Sequence, residues 1–126
     1  MAQRIKITVG GHELEGTLND SETALEIGKQ LPVEIRMSRW GDEYYGGIDG
    51  VAVSMAPDAR AEMAIGELAF WPPGNAFCIL FGPTPASHGS EPRLASEGNP
   101  FGQLEGDVAT VLGGLGQSVK VRIEAI

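Results

Sequence analysis

The segment AFCILF, residues 76–81, is apolar at every position and follows the turn-forming sequence PPGN at residues 72–75. Six consecutive apolar residues after a strong turn signal predict a strand that is buried on both of its faces. We therefore predict that residues 76–81 form the central strand of the fold. Cys78 is then expected to be an inert core residue, because a reactive thiolate needs accessible and electropositive surroundings.

Further strands are predicted on both sides of this segment. Apolar and polar residues alternate over residues 5–9, 33–37 and 119–123, which is the period of a strand with one buried face. Gly10-Gly11 is a two-residue hairpin turn, so the first of these strands is expected to pair with residues 13–18. The chain therefore begins with a β-hairpin.

Two short helices are predicted between the strands. Residues 19–21, with the sequence NDS, offer capping oxygens ahead of a short apolar face that ends before Pro32. Asp107 is the expected cap of a second helical segment, which Gly113-Gly114 ends.

The remaining chain is predicted to contain further short strands and two loops. The strands are expected at residues 51–55 and 63–71, and the loops at residues 40–50 and 83–100, which are rich in Gly or Pro. Seven to eight short strands with two short helices predict a mainly β fold, a closed antiparallel β-barrel of about eight strands. Closure removes exposed strand edges and lets a small chain bury a core.

Length and composition predict one globular domain over residues 1–126, with 42% hydrophobic and 21% charged residues. The net charge of −8 makes nucleic acid and membrane surfaces poor partners, because both are anionic. A single cysteine and the lack of a visible targeting segment indicate a cytoplasmic protein. The chain contains no phosphate-binding loop, dinucleotide fingerprint or zinc-protease motif, so we expect no cofactor and no metal site.

The richest cluster of functional groups is RWGDEYYGG at residues 39–47. It brings together a cation, two acids and three aromatic side chains, and aromatic walls with a few polar groups are typical of a ligand groove. The alternative is a plug at the end of the barrel, in which the aromatic side chains pack into the core and the charges pair in water.

A second cluster consists of Glu91 and Arg93, on either side of a rigid proline. A surface ion pair is the alternative interpretation of these two charges. Because two arginines can hold a carboxylate through paired hydrogen bonds, we expect a binding module for a peptide or a small anionic ligand. The expected groove is formed by Arg39, Tyr44, Tyr45, Glu91 and Arg93.

Three runs of the sequence carry a family resemblance: GELAFWPPGNAFCILFGPTP at residues 66–85, RWGDEY at residues 39–44 and EPR at residues 91–93. They resemble the cyclophilin-like domain family of small prokaryotic proteins. The resemblance implies the cyclophilin fold, an eight-stranded barrel capped by two helices, for a family whose molecular function is not established.

The resemblance also implies an alternative function, weak peptidyl-prolyl cis-trans isomerase activity. Cyclophilins speed rotation about X-Pro bonds with an arginine that donates to the prolyl nitrogen and an apolar pocket that holds the ring. Arg39 would then be the electrostatic catalyst, with Tyr44 and Phe77 forming the pocket. Gly47 stands where the cyclophilin pattern has a glutamine, and the tryptophan and histidine of that groove have no counterpart here. We therefore favour the binding module.

Overall fold

The computed structural model describes residues 3–126, and this part of the chain contains nine strands and two α-helices. The strands are β1 (Gln3–Val9), β2 (His12–Leu18), β3 (Val33–Arg39), β4 (Glu43–Gly47), β5 (Arg60–Glu62), β6 (Glu67–Trp71), β7 (Ala76–Leu80), β8 (Arg93–Leu104) and β9 (Ser118–Ala125). The helices are α1 (Glu22–Gly28) and α2 (Val108–Gly113). Neither helix within residues 3–126 is long and apolar enough to cross a membrane.

Eight of these strands form a closed antiparallel ring. Their order is β2-β1-β9-β3-β4-β7-β6-β8, and the pairing of β8 with β2 closes the ring. Strand β5 pairs with β8 and adds a short edge to the sheet. The predicted mainly β fold, a closed antiparallel barrel of about eight strands with two short helices, is confirmed.

Local signals in the sequence produce the expected first turn and the cap of α1, whereas Asp107 lies at the N-cap position of α2 without a capping hydrogen bond from its side chain. Gly10 and Gly11 join β1 to β2 with φ angles of 53° and 86°, which favour glycine at both positions of this two-residue turn. The Ser21 side chain caps α1 and accepts a hydrogen bond from the Ala24 backbone amide at 3.1 Å. Asn75 adopts a left-handed conformation at the end of the turn that leads into β7.

Strand β7 lies between β4 and β6 and is buried on both faces, as predicted. Phe77 and Ile79 pack in the main core inside the ring, where the Phe77 ring meets Phe101 edge-on with centroids 5.0 Å apart. The alternate residues of β7 belong to a second apolar cluster on the outer face of the ring. Its buried members are Met63, Ala69, Ala76, Cys78, Leu80 and Leu94.

Each of the two predicted loops contains a strand instead. Residues 40–50 include β4, which directs Tyr44 into the main core. Residues 83–100 include the first part of β8, a strand of twelve residues that runs through Gly98 and Pro100. The prediction failed because this part of β8 is held by pairing with β5 and β6, which outweighs the local preference of glycine and proline for turns.

The strand predicted at residues 51–55 is also wrong, because this segment is an irregular loop. The buried side chain of Asn99 holds it. Its Nδ2 donates to the Ser54 carbonyl at 3.0 Å and to Thr23 Oγ1 at 3.1 Å, and its Oδ1 accepts from the Ala56 amide at 2.8 Å. A side chain thus supplies hydrogen bonds that a neighbouring strand would otherwise provide.

Candidate functional site

Arg39, the last residue of β3, bridges two loops at one end of the barrel. Its Nη1 donates to the carbonyl oxygens of Gly113, the last residue of α2, at 3.2 Å and of Leu115, just after α2, at 2.8 Å. Its Nε donates to the Gly41 carbonyl at 2.8 Å, and its Nη2 donates to Asp42 Oδ1 at 2.8 Å. Four of the five guanidinium N–H groups therefore serve contacts within the protein.

Tyr44 and Phe77, the predicted walls of a prolyl pocket, both lie in the interior of the ring with no solvent exposure. The Tyr44 hydroxyl donates to the Gly116 carbonyl, and its ring stacks on Phe81 with centroids 5.6 Å apart. These contacts match the plug interpretation of this end of the barrel.

Glu91 and Arg93 form an ion pair at the start of β8. Arg93 Nε donates to Glu91 Oε2 at 2.9 Å, and Arg93 Nη2 donates to Glu62 Oε1 at 3.2 Å. The Glu91 carboxylate also accepts from the backbone amides of His88 at 2.7 Å and Gly89 at 2.8 Å. The hydrogen bond from the His88 amide, together with that from Arg93, lowers the pKa of Glu91 to about 2.

The five residues of the predicted groove are thus distributed over three places. Arg39 lies 5.9 Å from the centroid of the Tyr44 ring, at the end of the barrel. Glu91 contacts Arg93 at the start of β8. Tyr45 is 42% exposed and lines a pocket that the other four do not line.

This outer pocket has a volume of about 220 Å³ and lies on the outer face of the ring. Both tryptophans of the chain contribute to it, together with one tyrosine and one carboxyl group. Its lining residues are Trp40, Glu43, Tyr45, Trp71, Ala76, Cys78, Leu94 and Ala95.

Strand register explains how these side chains meet. Glu43 and Tyr45 are two residues apart on β4, so both face outward. Tyr45 pairs with Cys78 on β7, and Ala76 of β7 pairs with Trp71 on β6. Directly paired residues project on the same side of an antiparallel sheet, and three neighbouring strands therefore form one wall.

Glu43 is the most unusual group in the outer pocket. It is only 4% exposed, and its Oε1 is buried without a hydrogen-bond partner in the part of the chain that the structure describes. Burial raises the pKa of Glu43 to about 7, and the neighbouring Cys78 thiol opposes the rise only in part. Burial and the adjacent Glu43 carboxyl also raise the pKa of the Cys78 thiol. Near neutral pH, the Glu43 carboxyl therefore exists in both its acid and its carboxylate form.

A larger depression, of about 610 Å³, lies between α1 and the loop at residues 53–58. The buried polar side chain that lines it is Thr23, whose Oγ1 already accepts a hydrogen bond from Asn99 Nδ2 at 3.1 Å. Among the residues described, Glu43 Oε1 is the buried side-chain oxygen that lacks a partner. The outer pocket is therefore the better candidate site.

Sequence reasoning placed Trp40 and Glu43 in a functional cluster but did not identify the pocket. The spacing of Glu43 and Tyr45 could have indicated part of the pocket. These two residues lie on the same face of the sheet if residues 43–47 form a strand. The contributions of Trp71 and Leu94 could not be found in this way, because they come from other strands.

The family model described as Cyclophilin-like matches residues 3–124. The chain belongs to the cyclophilin-like family. It is also similar to the solution structure of the hypothetical protein AF2241 from Archaeoglobus fulgidus, with 30% sequence identity and a TM-score of 0.78. That match covers 99% of this chain and 95% of the archaeal one. No curated protein matches the sequence. The resemblance to cyclophilin-like proteins predicted from the sequence is confirmed.

Proposed function

We propose that this chain is a binding module that holds a peptide side chain or a small ligand in the outer pocket. The observation that carries the proposal is the unpartnered Oε1 of Glu43 in a pocket with three aromatic side chains. A buried polar atom without a hydrogen bond costs stability, and a ligand that donates to Glu43 would recover that loss. Apolar surface with one placed polar group is the usual composition of a small-ligand site.

The arginines of the predicted anion groove are already paired with carboxylates of the protein. Arg39 is paired with Asp42, and Arg93 is paired with Glu91, so a bound anion would have to compete with these carboxylates. The residues that line the outer pocket include no lysine or arginine. This distribution of charge supports the outer pocket as the binding site and favours a ligand group that is not anionic.

The isomerase alternative depends on the same Arg39. A prolyl nitrogen would have to accept a hydrogen bond from a guanidinium that already donates to three backbone carbonyls and to Asp42. Tyr44 and Phe77 are buried in the main core, away from solvent. These contacts support a structural role for the three residues.

The proposal can be tested by NMR with three probes of equal length: n-butylammonium, n-butanol and n-butyrate. At least one probe should cause saturable shifts of backbone amides in β4 and β7, next to the outer pocket. Ala95→Phe narrows the pocket and should weaken this binding. Ala125→Phe is the matched control, because Ala125 is exposed on β9 and does not line the pocket.

Two outcomes would contradict the proposal. The first is the absence of saturable shifts at the outer pocket with all three probes. The second is saturable binding of n-butyrate next to Arg39 or Arg93, which would restore the anion groove predicted from the sequence.

A further inference from the structure

We propose that the outer pocket selects a primary alkylammonium group, such as the end of a lysine side chain, with the Glu43 carboxylate as its counter-ion. This inference rests on the proposed function of the pocket and specifies the class of ligand.

The Glu43 carboxyl group has no cationic side chain beside it in the pocket. A buried carboxylate is strongly destabilised unless a cation or several hydrogen-bond donors accompany it. Neither a lysine nor an arginine lines the outer pocket, and Oε1 has no partner among the described residues. The protein therefore presents a buried acceptor whose counter-ion is not supplied by the pocket itself.

The position of the unpartnered carboxyl oxygen also favours an ammonium over a guanidinium. The Glu43 Oε1 atom is buried without a hydrogen-bond partner among the described residues, and the Cys78 thiol hydrogen-bonds with the Ala76 carbonyl oxygen at 3.7 Å. A guanidinium binds best when both carboxylate oxygens are free to accept its paired N–H groups. An ammonium is a compact charge with three donors, so it suits one buried oxygen in a pocket of only about 220 Å³.

The walls of the outer pocket have the chemistry that an alkylammonium ion requires. Trp40, Tyr45 and Trp71 line the pocket, and aromatic rings attract cations. Leu94 and Ala76 are apolar and would cover the alkyl stem that leads to the ammonium group. The net charge of −8 also raises the concentration of cations near the protein.

Binding of such a cation should depend on pH through Glu43. The other titratable groups that line the pocket are Tyr45 on the same strand and Cys78 on β7. The lining residues from β6, β8 and the β3–β4 turn are Trp71, Leu94, Ala95 and Trp40, none of which titrates. Burial raises the pKa of Glu43 to about 7, so the carboxyl is mostly neutral at pH 6 and mostly ionised at pH 8. Affinity for an ammonium should therefore rise about tenfold between these two values.

The test compares n-butylammonium with n-butanol on the intact chain at pH 6 and pH 8. We expect n-butylammonium to bind more tightly than n-butanol at pH 8, and this preference to fall about tenfold at pH 6. Glu43→Gln should remove the preference and its pH dependence while n-butanol still binds. Glu97→Gln, at an exposed position of β8 outside the pocket, should retain both.

Glu43→Asp provides a second variant that keeps a carboxylate, and circular dichroism establishes that each variant is folded. In Glu43→Asp we expect weaker ammonium binding that still tightens as the pH rises. Equal affinity of the pocket for n-butylammonium and n-butanol at pH 8 would overturn the ammonium assignment and leave the binding function intact. Preference for n-butyrate would also overturn it. Failure of all three probes would instead contradict the proposed function.

Discussion

Glu43→Gln should make the protein more stable at alkaline pH, although the change removes a charge. The pKa of Glu43 rises from 4.5, the ordinary value expected in the unfolded chain, to about 7 in the folded protein because the carboxyl is buried. The folded state therefore binds the proton more tightly than the unfolded state does. Glu43 supports folding fully below pH 4.5, and this support is lost as the pH rises through about 7.

The size of the effect follows from the two pKa values. Complete ionisation of a buried carboxyl with this shift lowers the free energy of unfolding by roughly 3 kcal/mol. Most of that loss, about 2–3 kcal/mol, falls between pH 5 and pH 8. Glutamine has nearly the same shape as the protonated acid and does not ionise, so the variant should not lose stability in this way.

Urea denaturation of the wild type and Glu43→Gln at pH 5, 6.5 and 8 measures the effect. The informative quantity is the difference in unfolding free energy between the two proteins at each pH, because contributions of the other carboxylates cancel. This difference should move by about 2–3 kcal/mol in favour of the variant from pH 5 to pH 8. Glu97→Gln makes the same chemical change at an exposed position and should show a constant difference.

A difference between wild type and Glu43→Gln that stays constant within about 0.5 kcal/mol across this range would refute the reasoning. It would mean that the Glu43 carboxyl finds a partner or water in solution. The same result would remove the support that its pKa lends to the ammonium inference.

Four further predictions concern the fold and the alternative function. Phe77→Ala should lower the free energy of unfolding by on the order of 3 kcal/mol or more, because the fully buried ring packs against Phe101. A loss below about 1 kcal/mol in a denaturant titration would contradict the central place of Phe77 in the core. Arg39→Ala should cost about 2 kcal/mol or more in the same assay, since it leaves backbone carbonyls of two loops without their donor. The wild type should isomerise a proline-containing peptide at the background rate. A clear rate that disappears in Arg39→Ala, while that variant is still folded at the assay temperature, would instead establish a prolyl isomerase. Asn99→Ala removes the side chain that hydrogen-bonds with the loop at residues 51–58, and it should speed amide hydrogen exchange in that loop. Unchanged protection of the Ala56 amide from exchange would show that Asn99 does not hold the loop in place.

The elements that the sequence predicted correctly depend on interactions between near neighbours. The Gly10-Gly11 turn needs two positive φ angles, and the Ser21 cap acts on an amide three residues away. Strand β7 is apolar throughout because both of its faces are covered, so its burial is visible in the residues themselves.

The elements that the sequence did not predict depend on distant partners. Strand β8 runs through Gly98 and Pro100 because these positions are paired with β5 and β6. The loop at residues 51–55 has the alternation of a strand, but Asn99, more than forty residues away, supplies its hydrogen bonds. The conformational preferences of neighbouring residues carry no information about either of these long-range interactions.

The candidate site also depends partly on the sequence alone and partly on the tertiary structure. The sequence by itself determined which residue types are available and placed Arg39, Tyr44 and Tyr45 in one short cluster. The tertiary structure decided which of them share a surface, because successive side chains of a strand point to opposite faces. Tyr44 entered the core, whereas Glu43 and Tyr45 faced outward. Only the packing of β4, β6, β7 and β8 buries the Glu43 carboxyl in an aromatic pocket, and that burial is the physical cause of its unusual pKa.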